Sequence, residues 1–285
     1  MWGGARPVRA GAGAGADDHC VREYLDGSPP PGRALVETGE LVAGSMSRAV
    51  AGLLFDPASS RLQLDERLAS CLRDAASSAA DLSSTWERAR AGAALAFAAE
   101  LAVTRSSQGR PVRTDGFFSV QVPPRSDGER LVEAVVQAAR RTTEDRRVRH
   151  LGYLVAEVAV SPDLDAALAD RGLRLAEACT WRQLVLLAAV GRRDRAPLPL
   201  EPLTDDPRPW SAWGAREDVA DLQRAGLLDP APAAPRPGGA ALPKLRPADL
   251  RLTRRGVLVH RLLALDFVRD DDIATALADL ELPAS

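Results

Sequence analysis

Two segments constrain this chain most strongly, because each signs the start of a helix twice. Ser126 stands three residues before Glu129, and Thr180 three residues before Gln183. In such a capping box the hydroxyl accepts from a backbone N–H in the first turn while the longer side chain reaches back to the cap. Apolar residues at helical spacing follow both: Leu131, Val135 and Ala138 after the first, and a Leu/Val/Ala run that stops at Gly191 after the second. Glycine is a natural helix stop. Aromatics make up only 4% of the 285 residues and alanine is abundant, so helices packed closely through small side chains are favoured over an all-β core.

Other segments read the same way. From Arg33, Val42, Met46, Val50 and Leu53 share one helical face, and Asp56-Pro57 ends it. Leu64, Leu68, Cys71, Leu72 and Ala75 form a second stripe, and Trp86, Ala89, Ala93, Phe97 and Leu101 a third. Residues 106–113 break the pattern, and the segment beginning at Phe117 is either a short strand or an irregular packing segment. Thr142 or Thr143 opens a helix with Val148, Leu151, Val155 and Val158 inward. Ser161 before Pro162 predicts another, carrying Leu164, Leu168 and Leu175. A last acidic helix places Ile273, Leu277 and Leu280 on its buried side.

Residues 1–32 combine Gly/Ala repeats with Pro29, Pro30 and Pro31 and carry little large apolar surface, which predicts a disordered arm. They lack the apolar region of a signal peptide. The longest uncharged apolar run, Ala91 to Ala99, is far short of a membrane span. The three cysteines are widely separated, which suggests neither disulfides nor a zinc cluster. A soluble cytoplasmic protein is the expectation. Lys244 is the only lysine among 37 cationic side chains, a bias that fits a GC-rich bacterial genome and lowers the significance of any single arginine.

The C-terminal third brings the most specific pattern. Asp221-Leu222 leads to Gly226-Leu227-Leu228, and after a long Pro/Gly segment Leu252-Thr253 is followed by Gly256. This order resembles the winged-helix superfamily, in which D-L-x-x-x-G-L-L leads into a wing and L-T-x-x-G returns the chain to the core. Composition and helical periodicity predict a mainly α chain, and the resemblance adds a winged-helix-like C-terminal part. A bundle-like helical domain would span 33–178, and a winged-helix-like domain with a short β-hairpin 179–285. The helical part is similar to that of various bacterial proteins, a likeness that brings no activity with it. Between Arg192 and Gly214, five prolines and two tryptophans replace the compact second helix of a DNA-binding member.

Two cationic groups are candidate binding sites. Lys244, Arg246, Arg251, Arg254 and Arg255 form a local excess suited to phosphates. Against it, the helix in the recognition position carries Glu217, Asp218 and Asp221, which phosphate would repel. Arg140, Arg141, Arg146, Arg147 and Arg149 surround a helix junction and form a candidate partner-binding patch. Helix-dipole pairing accounts for them equally well. Arg254 or Arg255 with His260 resembles the R-x4–6-H motif of HEPN-type ribonucleases, a match that so arginine-rich a chain yields about once by chance.

Other catalytic and nucleotide-binding templates fail. The Gly11, Gly13 and Gly15 run has no strand before it, and neither a P-loop nor a zinc-protease motif occurs. The expectation is a non-enzymatic regulator or adaptor, without metal or small-molecule cofactor and away from membranes. It would bind a protein partner ahead of DNA, with homodimerisation through the Ala-rich helices as a further route.

Overall fold

A computed structural model of the chain describes residues 29–56, 58, 62–119, 125–203, 209–229 and 245–280. Most of the expected arm therefore lies outside the described residues, but its end does not. α1 (Pro31–Thr38) starts on Pro31, with Pro30 as N-cap, because proline at the first helical position sacrifices no hydrogen bond. The single helix expected from Arg33 is broken. α2 (Glu40–Ala43) and α3 (Met46–Phe55) follow, separated by Gly44 in a positive-φ turn (73°). α4 (Glu66–Ala79) is capped by Asp65, whose carboxylate accepts from the N–H groups of Arg67 and Leu68.

α5 (Thr85–Ser107) is the axis of the fold. The sequence shows a stripe, whereas the structure buries the helix on nearly every side: Ala89, residues 91–99 and residues 101–103 are all interior. Only Trp86, expected inward, is turned out. A helix that is apolar all round belongs at the centre of a bundle. α1, α2, α3 and α4 pack on α5, as do α6 (Asp127–Arg141) and α7 (Asp145–Ala159). Because its alanines are enclosed within the chain's own core, they are not a dimerisation face.

Two glycines set how close these neighbours come. A Cβ on Gly92 of α5 would stand 2.1 Å from the carbonyl oxygen of Leu35 in α1. One on Gly152 of α7 would stand 2.3 Å from the carbonyl oxygen of Ala94 in α5. At these crossings the helix backbones themselves are in contact, so dispersion replaces side-chain interdigitation.

The capping box at Ser126 forms as expected, with the Glu129 carboxylate accepting from the Ser126 N–H at 2.7 Å. That at Thr180 forms likewise and opens α9 (Trp181–Gly191). Between them, α8 (Ala166–Ala178) departs from expectation. Its cap is Asp165, which accepts from the Leu168 N–H, and Leu168 is 37% exposed while Leu173 is buried. Ser161 is instead fully buried, and its hydroxyl accepts from Arg110 and Arg261. α7 begins at Asp145 rather than at a threonine cap; the Thr142 hydroxyl accepts from the Glu144 N–H just outside it.

α10 (Trp210–Arg224), α11 (Arg254–Leu262) and α12 (Asp270–Ala278) complete the chain. All three pack on α9, and α11 also packs on α7 and α8, so the core runs without a gap across residue 178. His150 of α7 fastens this seam. It is buried between Tyr153 and Trp181, with ring centroids 5.6 and 5.5 Å away, and its Nδ1–H donates to the Leu263 carbonyl at 2.8 Å. None of the described helices is long and apolar enough to cross a membrane.

Two tests follow from this packing. Gly152→Val introduces branched bulk where the Ala94 carbonyl leaves no room, and overpacking of this kind costs about 1–3 kcal/mol. Urea unfolding should show a loss of about 2 kcal/mol or more, and an unchanged midpoint would refute the close approach. Burial of His150 lowers its pKa from 6.5 to about 4. A base with a depressed native pKa binds more protons when unfolded, so stability is full above pH 6.5 and falls as pH drops towards 4. The loss through this group is on the order of 3 kcal/mol. His150→Gln should flatten that part of the stability profile; equal pH slopes in both proteins would contradict it.

Candidate functional site

The region after Thr180 is built around α9. α10 lays Ala212, Ala215, Val219 and Leu222 inward at helical spacing and ends before Gly226, whose φ is 66°. The chain then meets itself. The Asp229 N–H donates to the Arg251 carbonyl at 2.9 Å and the Thr253 N–H to the Leu227 carbonyl at 3.1 Å, closing one antiparallel bridge between Leu228 and Leu252. Among the described residues this bridge stands alone and no strand is formed. Most of the expected wing, 230–244, lies outside the described residues. Beyond the bridge the Thr253 hydroxyl caps α11 by accepting from the Gly256 N–H.

Of the three acids of α10, Asp218 faces inward, while Glu217 and Asp221 are half-exposed. Asp218 is buried, where its carboxylate accepts from Arg182 Nε and, at 2.9 Å, from Gln183 Nε2, so one charged residue locks α10 onto the start of α9. Asp221 and Glu217 both pair with Arg224. The outward stripe is different in kind. Trp210 is 82% exposed and Trp213 49%, their rings edge-to-face at 5.8 Å between centroids. Glu217 and Arg224 extend the same stripe at spacings of four and seven.

The first cationic group is only partly assembled. Lys244 lies outside the described residues. Arg251 is half-buried, donating to the carbonyls of Ala248 and Leu250, so it holds a turn. Arg246, Arg254 and Arg255 are exposed and make no ion pair among the described residues. The second group is engaged within the chain. Arg140 pairs with Glu87, Arg141 with Glu177 and Arg146 with Asp272, each near 2.8 Å. Arg147 donates to the carbonyls of Ala176 and Glu177, and Arg149 lies over the Phe97 ring at 5.0 Å. These five tie α6 and α7 to α5, α8 and α12.

The Arg/His pair resembling a ribonuclease motif is not brought together. On α11, positions 255 and 260 are about 140° apart around the axis. His260 packs against Gly191 with its Nε2 buried and unpartnered. Burial lowers its pKa, aided by Arg192 and opposed by Asp266. Burial also raises the thiols of Cys71 and Cys179 to about 11, so they are unreactive at neutral pH. No group of three or more potential metal ligands occurs among the described residues.

Sequence reasoning missed the exposed tryptophan pair. Its signal was Pro209 followed by two tryptophans three residues apart, a pattern consistent with a proline-started helix showing both rings on one side. Compared with known protein families, curated proteins and solved structures, the chain matches none.

The inward role of Asp218 is testable. Asp218→Ala leaves Arg182 and Gln183 without their acceptor; breaking a buried pair costs about 3–5 kcal/mol, and partial exposure of Arg182 brings this nearer 2. Thermal unfolding of Asp218→Ala at neutral pH should register that loss. A neutral result would return Asp218 to the surface.

Proposed function

We propose that the protein is a non-enzymatic regulator or adaptor whose winged-helix-like C-terminal module binds a protein partner through the outward face of α10. The observation that carries this reading is the Trp210–Trp213 pair, two large rings exposed side by side on an ordered helix. Burying a tryptophan removes a large apolar area from water, and tryptophan is among the residues that dominate binding energy at protein interfaces. The rest of the stripe suits a rim: Glu217 and Arg224 are charged but mutually paired. A partner of matching chemistry offers an apolar cleft for the two rings, bordered by polar groups. The single bridge at Leu228–Leu252 supports the winged-helix likeness, because it joins the two segments that such a fold pairs at the base of its wing.

A DNA-binding regulator is the second reading, favoured by the exposed Arg246, Arg254 and Arg255. The two readings separate in one pair of measurements. A photo-crosslinking amino acid at position 213, introduced in the source cell, is expected to give a discrete protein adduct that Trp210→Ala reduces about tenfold, the equivalent of 1.4 kcal/mol. Fluorescence anisotropy on mixed-sequence duplex DNA should stay flat even at low salt. DNA binding that weakens linearly on a log–log salt plot, together with no adduct, would replace the adaptor by the DNA reading.

A further inference from the structure

A groove of about 380 Å³ runs between α4 and α6. Asp74, Ala75, Ser78 and Ala79 fall on one face of α4, and Glu129, Glu133 and Val136 line the facing side of α6. Because the α4 side chains are short, the space above them stays open. Its floor is apolar. Ala79 and Val136 are buried, and Leu82, partly buried, closes the end beyond α4. The buried Cys71 lies at the opposite end.

The charges that face this groove do not balance. Glu133 pairs with Arg125, and Arg140 pairs at 2.8 Å with Glu87, which lies outside the groove. Asp74 and Glu129 remain, and neither forms an ion pair among the described residues. The Asp74 carboxylate accepts one long bond, from the Ser70 hydroxyl at 3.4 Å. Glu129 commits one oxygen to the Ser126 N–H of the capping box at 2.7 Å, and its other oxygen has no donor among the described residues. Both carboxylates act on one point. Burial raises the Cys71 thiol to about 11, and the negative fields of Glu129 and Asp74 add to that rise. Two like charges beside an apolar floor are stabilised by a cation that brings its own apolar body.

We propose that this groove binds a small organic amine, with its ammonium between Asp74 and Glu129 and its apolar body along Ala75, Ala79 and Val136 towards Leu82. An ammonium has three donors to share between the two carboxylates, and such charge-assisted bonds are roughly twice as strong as neutral ones. The volume lies within the range of small-molecule sites, which combine an apolar lining with a few placed polar groups. Arg140 at the far end disfavours a second ammonium there, so a monoamine fits better than a diamine. The site belongs to the helical bundle and is independent of the tryptophan face on α10.

The test is titration calorimetry of the full chain with phenethylamine, with phenethyl alcohol and phenylacetate as the neutral and anionic references. Saturable binding of the amine is expected, about tenfold tighter or more than either reference. Glu129→Gln removes the charge yet retains the capping box, which glutamine also completes, and should weaken amine binding about tenfold while circular dichroism shows an unchanged fold. Asp74→Asn, at a more exposed position, should weaken it about threefold or more. No saturable binding of the amine overturns the proposal. So does phenethyl alcohol binding equally well, or an affinity unchanged in a folded Glu129→Gln. If that variant unfolds, Asp74→Asn decides by the same criterion.

Discussion

The contact between α5 and α7, where Ala94 faces Gly152, is the constraint on which the rest of the structure depends. Helices usually keep their axes 8–10 Å apart because side chains stand between them. Here alanine and glycine remove that spacer, so burial comes from many close small contacts rather than from a few large aromatic ones. Such a contact tolerates little expansion, because what blocks a new methyl group is a carbonyl oxygen and not a side chain that can rotate away. Everything that packs on this pair inherits its position. α1 to α4 pack on α5, and the C-terminal module reaches the bundle through α7 and α8.

Charge is placed where that close packing ends. Arg90 meets Asp145 at 2.8 Å near the N-terminal ends of α5 and α7, and Arg140 meets Glu87 beside them. At the other ends Arg105 meets Glu157. The two partly exposed pairs add little stability singly, but together with the buried Glu157 pair they disfavour sliding of one helix along another, because a one-turn shift would separate every pair together. Glu157 is more deeply buried than any other carboxylate or guanidinium described, and Arg113 nearby is also buried, donating to the carbonyls of Ser161 and Leu164. The ionic network there lines one wall of an open cleft whose other wall, Leu252, Val257 and Ala264, is apolar.

Much of the fold was legible in the sequence, because helix starts are local chemistry. Both capping boxes formed, and the stripes of α4 and α12 were oriented correctly. Failures occurred where tertiary structure competed for the same atoms. Ser161 followed by proline is a good local cap, but two arginines from distant segments take its hydroxyl, and Asp165 caps α8 instead. Burial of α5 on all sides could not be read from periodicity, since alanine marks neither face of a helix. The candidate site was less legible. Arginine clusters stand out in a sequence, yet three of the five in the second group are paired with carboxylates 36 to 126 residues away. The tryptophans stood in a Pro-rich segment whose helical state only the structure revealed.

Native-state hydrogen exchange tests the central place of the α5–α7 pair most directly. Amides of residues 92–103 and 150–159 should exchange only through global unfolding, with a free energy equal to that from denaturant titration, while those of α10 and α12 open at lower free energy. Exchange of α5 by a local opening, with α9 to α12 still protected, would contradict this, because the bundle could not then be the foundation on which the C-terminal module rests.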